Sequence, residues 1–182
     1  LMNVRVNEKG EANYNVYVSE DEKPSDTTSN TSLKLEKIDI RNSHLIYNDK
    51  STKILIDAKG FNYIGKGDLD QAVFDIYTEA EIDSLNLTYD KETYLKNKKI
   101  KADLITKINT NSLAFVFQQN NLKINKLPVQ FTGKFDFLKN GYDMDFKIDS
   151  KDSRLNDFFT ALPPEYVTWL EKTKVKGRTD LA

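Results

Sequence analysis

KLPVQFTGKFDFLKNGYDMDFKI, residues 126–148, places an apolar side chain at nearly every second position. Val129, Phe131, Phe135 and Phe137 precede Lys139-Asn140-Gly141, and Tyr142, Met144, Phe146 and Ile148 follow it. The residues between are mostly Lys, Asp, Gln and Thr. A period of two on both sides of an Asn-Gly predicts a β-hairpin with one apolar and one solvated face.

The same alternation extends outward through most of the chain. A short strand pair is predicted at 2–7 and 13–18, followed by a polar, turn-rich loop over 19–32. Strands follow at 33–40, 43–48 and 53–58, then a glycine-punctuated passage to Gly67. From Gln71 to Ile82 one face carries Ala72, Phe74, Ile76, Ala80 and Ile82. At about 3.3 Å per residue this run spans roughly 40 Å, twice a usual strand. Leu85–Tyr89, Ile100–Ile108, Leu113–Phe117 and Leu122–Ile124 continue the pattern. The reading is an antiparallel meander.

The period changes near the end. Leu155, Phe158, Phe159 and Leu162 stand at i, i+3, i+4 and i+7, one face of a helix, with Asp152 or Ser153 as N-cap. Pro163-Pro164 ends that helix, and Pro164 suits the first turn of a second one carrying Tyr166, Trp169 and Leu170. A helical pair is therefore expected within 153–172, packed on the sheet.

Composition narrows the function. The net charge is −1 with 30% charged residues, so the signs are mixed, and no nucleic-acid partner is expected. Cysteine is absent, which removes disulfides and thiolate chemistry. No run approaches the 18 or more apolar residues of a membrane span. Alternation is already under way at Met2, Val4 and Val6 and still running at Val175, Gly177, Thr179 and Leu181. The chain is thus expected to be a piece of a longer protein.

No catalytic constellation emerges, and no enzyme, cofactor or metal is expected. GFNYIGKG (60–67) comes near a phosphate-binding loop, but Gly67 stands where a Ser or Thr must reach the metal, and a strand pattern follows. His44 is the sole histidine and sits in a strand pattern. The pairs Asp68/Asp70 and Asp143/Asp145 fit a polar exterior. Asn30 and Asn86 open glycosylation sequons of a kind common by chance in an Asn-rich chain.

The apolar face carries the functional question. Burying one large apolar side chain contributes about 1.5–3 kcal/mol. Leaving ten in water would therefore forgo about 15–30 kcal/mol, against a net stability of about 5–15. A second sheet, a closed barrel, or an open groove holding helices and a hydrophobic ligand would each cover it.

Several stretches resemble the AsmA family. They are KGEANYNV (9–16), LKLEKIDIRNSHLIYND (33–49), GKGDL (65–69), NNLKINKLPVQFTG (120–133) and NDFFTALPPEY (156–166), similar in order and spacing to Bacteroidetes-type members. Ser43 departs from the family's usual turn glycine. The resemblance implies a periplasmic, cell-envelope segment of a protein anchored in the inner membrane by an N-terminal helix outside this sequence. It also implies a long β-groove with a hydrophobic interior, similar to bridge-like lipid-transfer proteins, that supports phospholipid transport to, or assembly of, the outer membrane. It carries no catalytic residues.

The expectation is a mainly β chain forming one groove domain over 1–182. Long antiparallel strands would make a curved, taco-like or half-barrel sheet with two short C-terminal helices. Its partners would be a phospholipid or other acyl lipid and neighbouring segments of its own chain. Acyl chains would lie along Phe74, Ile76, Leu104, Phe115, Phe117, Phe131, Phe135, Phe137, Met144 and Phe146. The alternative is an envelope scaffold domain with an ordinary packed core and no lipid.

Overall fold

A computed structural model describes residues 1–13, 36–68, 71–112, 114–138, 141–168, 173 and 175–181. It is a mainly β chain: one large curved sheet with two short helices near its C-terminal end. The strands are β1 (Met2–Val6), β2 (Lys37–Asp49), β3 (Ile54–Lys66), β4 (Val73–Tyr89), β5 (Glu92–Asn109), β6 (Ala114–Ile124), β7 (Leu127–Leu138), β8 (Gly141–Arg154) and β9 (Arg178–Leu181). They lie side by side in chain order. From β2 to β9 every neighbouring pair is antiparallel. Period-two patterning combined with short connections gives this meander, since each strand pairs most easily with the one just made.

Three local expectations change. First, β1 also runs parallel to the second half of β2, with Met2 opposite Leu45 and Val6 opposite Asp49. In the described part of the return, Ala12 bridges Val6 in the antiparallel sense, Asn13 N donates to Arg5 O, and the Asn13 side chain accepts from Arg5 N and donates to Asn3 O. The remainder of the second predicted strand and the 19–32 loop fall outside the described residues. Second, the segments 33–40 and 43–48 belong, from Lys37 onward, to one strand, β2. Likewise 53–58 and the glycine-punctuated passage together make β3. Third, the N-cap of the first helix is Arg154, which makes no side-chain cap bond. Asp152 and Ser153 remain in β8, because Asp152 takes a left-handed turn (φ 48°) and its carboxylate holds Arg178 instead.

Left-handed residues accompany the merging in β2, β3 and β5, whereas β4 shifts register between Ile82 and Leu85 without one. Asn42 (φ 42°), Gly60 (φ 62°), Asn97 (φ 52°), Asn125 (φ 55°) and Asp152 (φ 48°) all adopt left-handed backbone conformations, which Gly and Asn tolerate best. Register places them on one line across the sheet: Gly60 lies level with Asp83, Asn97 beside Asn86, Asn125 beside Lys99. An extra residue in a strand reverses which face its later side chains meet. In β2 the inward residues accordingly pass from Ile38 and Ile40 to Leu45 and Tyr47, and in β4 from Ala80 and Ile82 to Leu85 and Leu87.

Side-chain carbonyls satisfy the amides freed along this line. Asn62 Oδ1 accepts from Asn42 N at 2.8 Å, Asn86 Oδ1 from Asn97 N at 3.0 Å, and Asn125 Oδ1 from Lys99 N at 2.8 Å. Asp180 Oδ1 accepts from Asp152 N at 2.6 Å. The line is a stitched crease that passes through β2, β3, β5 and β8 and meets the β6–β7 turn at Asn125.

α1 (Leu155–Ala161) and α2 (Pro164–Thr168) follow β8, and Pro164 opens α2 as expected. Residues 169–172 of the predicted pair lie outside the described residues. Below the crease the helices meet β5. Lys98, almost wholly buried, donates from Nζ to Thr160 O at 2.6 Å and Leu162 O at 2.8 Å, and Asn125 Nδ2 reaches Thr160 O at 2.8 Å.

Candidate functional site

Residues directly opposite one another in antiparallel strands share a face. The register therefore resolves the apolar face into transverse rows. Phe74, Ile108, Phe115, Phe135 and Met144 form one row across five strands. Ile76, Thr106, Phe117, Gly133 and Phe146 form the next. Leu104 lies opposite Thr78 and Asn120 in the third, which Phe131 and Ile148 continue. Phe137 takes a register position opposite Tyr142. The other nine residues expected at an apolar surface thus belong to one face.

Gly133 shapes the middle of that face. Its backbone (φ 150°) passes so close to Asp145 O and Phe146 that a Cβ would collide with both. The rings of Phe117, Phe131 and Phe146 gather around it, with centroids 5.4, 5.7 and 6.2 Å apart. Such spacings suit tilted and edge-on aromatic contacts. Asn120 is the polar interruption: it is buried and donates from Nδ2 to Phe131 O at 2.7 Å.

This face lacks a second layer among the described residues. The buried apolar side chains there are Val6, Ala58, Ile76, Ala102 and Leu127, and no large side chain is fully enclosed. Exposure rises toward the β8 edge, where Met144 is 60% and Ile148 56% accessible. The helices cover ground near Lys98, below the crease, rather than the phenylalanine rows.

The opposite face is charged. Lys101 pairs with Glu81 at 2.7 Å, and Lys134 with Asp143 at 2.9 Å, both exposed pairs of the kind that adds little stability. His44 also points this way and is held by Asp57 at 2.7 Å. Phe61–Lys66 runs extended within β3 and the next element is strand β4, so the near-match to a phosphate loop has no helix behind it. At the end of β2, burial pushes the Asp49 carboxyl up. The Ser51 hydroxyl, the Thr52 amide and the Tyr47 hydroxyl outweigh that push and hold its pKa at about 2. Asp49 thus anchors a turn as a carboxylate.

Sequence reading missed Ile108 and Ile148 in the phenylalanine rows, although the same alternation marks both. Lys98 was missed for a better reason: it lies in phase with Ile100, but a lysine reads as solvated by its residue type even at an inward position. Comparisons with models of protein families, with curated proteins and with solved structures return no match to this chain.

Proposed function

We propose that the chain is a non-catalytic, lipid-shielding segment of a cell-envelope protein of the AsmA type its sequence resembles. Acyl chains would lie along the phenylalanine rows and headgroups at the wet rim. The longer protein, inner-membrane anchored and periplasmic, would support phospholipid transport to, or assembly of, the outer membrane.

One observation carries this reading. A face of large apolar side chains spans five strands, yet Met144, Phe146 and Ile148 at its margin are 60%, 38% and 56% exposed, with no layer over them among the described residues. Contiguous apolar surface of this kind marks a surface that meets something else. Apolar contact is non-directional, so a broad range of acyl chains would be accepted. An envelope scaffold with a packed core would bury these residues in its own chain.

Lipid extraction and native mass spectrometry of the purified chain, after incubation with phosphatidylethanolamine and phosphatidylglycerol vesicles, test the reading. The expected result is co-purifying or exchangeable lipid, lost at least tenfold in Phe117→Glu or Phe135→Glu. Because those changes strike packed rings, Met144→Lys with Ile148→Lys is the companion variant. It alters side chains that already face solvent and should keep the fold while reducing lipid load. A folded protein that takes up no lipid overturns the proposal.

A further inference from the structure

The end of β8 remote from the phenylalanine rows holds a second feature. Between the β6–β7 turn, the start of α1 and the segment entering β9 lies a cleft of about 570 Å³, within the range of small-molecule sites. Its polar lining comprises Lys126, Arg154, Lys176 and Arg178, with Asn156 and Asp157. Arg154 and Arg178 stand directly opposite each other across β8 and β9. Like charges in that relation destabilise a strand pair.

Arg178 is held by Asp152, which takes Nε and the terminal nitrogen on its carboxylate and accepts again at its carbonyl oxygen at 2.8 Å. Lys126, Arg154 and Lys176 have no carboxylate partner among the described residues. Even with Asp152 and Asp157 set against the four cations, a surplus of two positive charges remains. What sets the cleft apart is that four cations converge on one cavity.

We propose that this cleft binds a phosphate group, either a lipid headgroup or a free phosphate. The planar fork of Arg154 suits two phosphate oxygens, the lysines add mobile point charges, and Asn156 offers an amide donor. A doubly charged anion would match the surplus and relieve the Arg154–Arg178 juxtaposition. The inference does not depend on the acyl-chain reading, since none of its residues lies on the apolar face.

Two titrations of the whole chain test it, one with inorganic phosphate and one with phosphatidylcholine vesicles with and without one quarter phosphatidylglycerol. Saturable phosphate binding is expected, weakened roughly tenfold or more in Arg154→Gln with Lys176→Gln, as for loss of charged hydrogen bonds. Lys59→Gln with Lys96→Gln removes the same net charge elsewhere and should leave binding intact. Phosphatidylglycerol-dependent vesicle binding lost in the first pair assigns the site to a headgroup; phosphate binding without it assigns a free anion. The proposal is overturned if neither probe binds, or if the control pair weakens binding equally. Lipid load on the apolar face, measured in the same variants, should not change, so the two proposals fail separately.

Discussion

Asn97 shows how one residue directs a strand this long. Its left-handed backbone is needed for the crease, its N–H is taken by Asn86, and its Oδ1 accepts from Ser84 at 3.1 Å. A β-branched side chain in this conformation is strained by about 1–3 kcal/mol, whereas glycine adopts it freely. Asn97→Val is therefore expected to lower stability by about 2–3 kcal/mol in urea unfolding, and Asn97→Gly by under about 1. Equal losses in the two variants would mean that the hydrogen bonds, not the backbone angle, dominate. The runs on either side of Asn42, 33–40 and 43–48, were legible in the sequence as apolar alternation. Their meaning was not, because a parity change in one strand looks the same as the end of a strand followed by the start of another.

At the scale of elements, α1 has seven residues, no side-chain N-cap and no buried residue of its own. A helix so short is not stable alone in water, so docking must hold it. Lys98 is the main tie, and burial pushes its ammonium below the usual lysine range while it donates to two helix carbonyls. Lys98→Met would leave Thr160 O and Leu162 O without those donors. Amide exchange over 155–168 should then quicken by roughly ten-fold or more, with β4 and β5 unchanged. Unchanged exchange would show that apolar contacts alone seat the helices. The helical period itself was plain from Leu155, Phe158, Phe159 and Leu162, as was the hairpin on either side of residues 139–140. The lysine that seats the helices lay 57 residues before the first of them, at a distance no local pattern spans.

For the whole molecule, the sequence showed that an apolar face exists and which residues make it, since alternation is a local property. It did not show what covers that face, because coverage depends on how far the sheet bends and what lies opposite. Among the described residues nothing is layered over the phenylalanine rows. Unfolding should therefore expose less new surface than in a compact domain of 182 residues. The urea m-value of lipid-free protein is expected to fall clearly below that of globular chains of equal length. A normal m-value would indicate that the face is closed in solution.

The crease also governs which changes in chain length the sheet can absorb. Asn42, Gly60 and Asn97 each advance their strand by one step, so the two panels on either side of the line are out of phase with each other. Deleting Asn42 alone would carry Ser43–Asp49 half a pleat out of step and turn Leu45 and Tyr47 toward water. Deleting Gly60 as well would bring β3 back into step with β2 but pass the mismatch on to β4. Along this line single-residue insertions and deletions are thus coupled from strand to strand, while the turns at the sheet's margins remain free to vary one at a time.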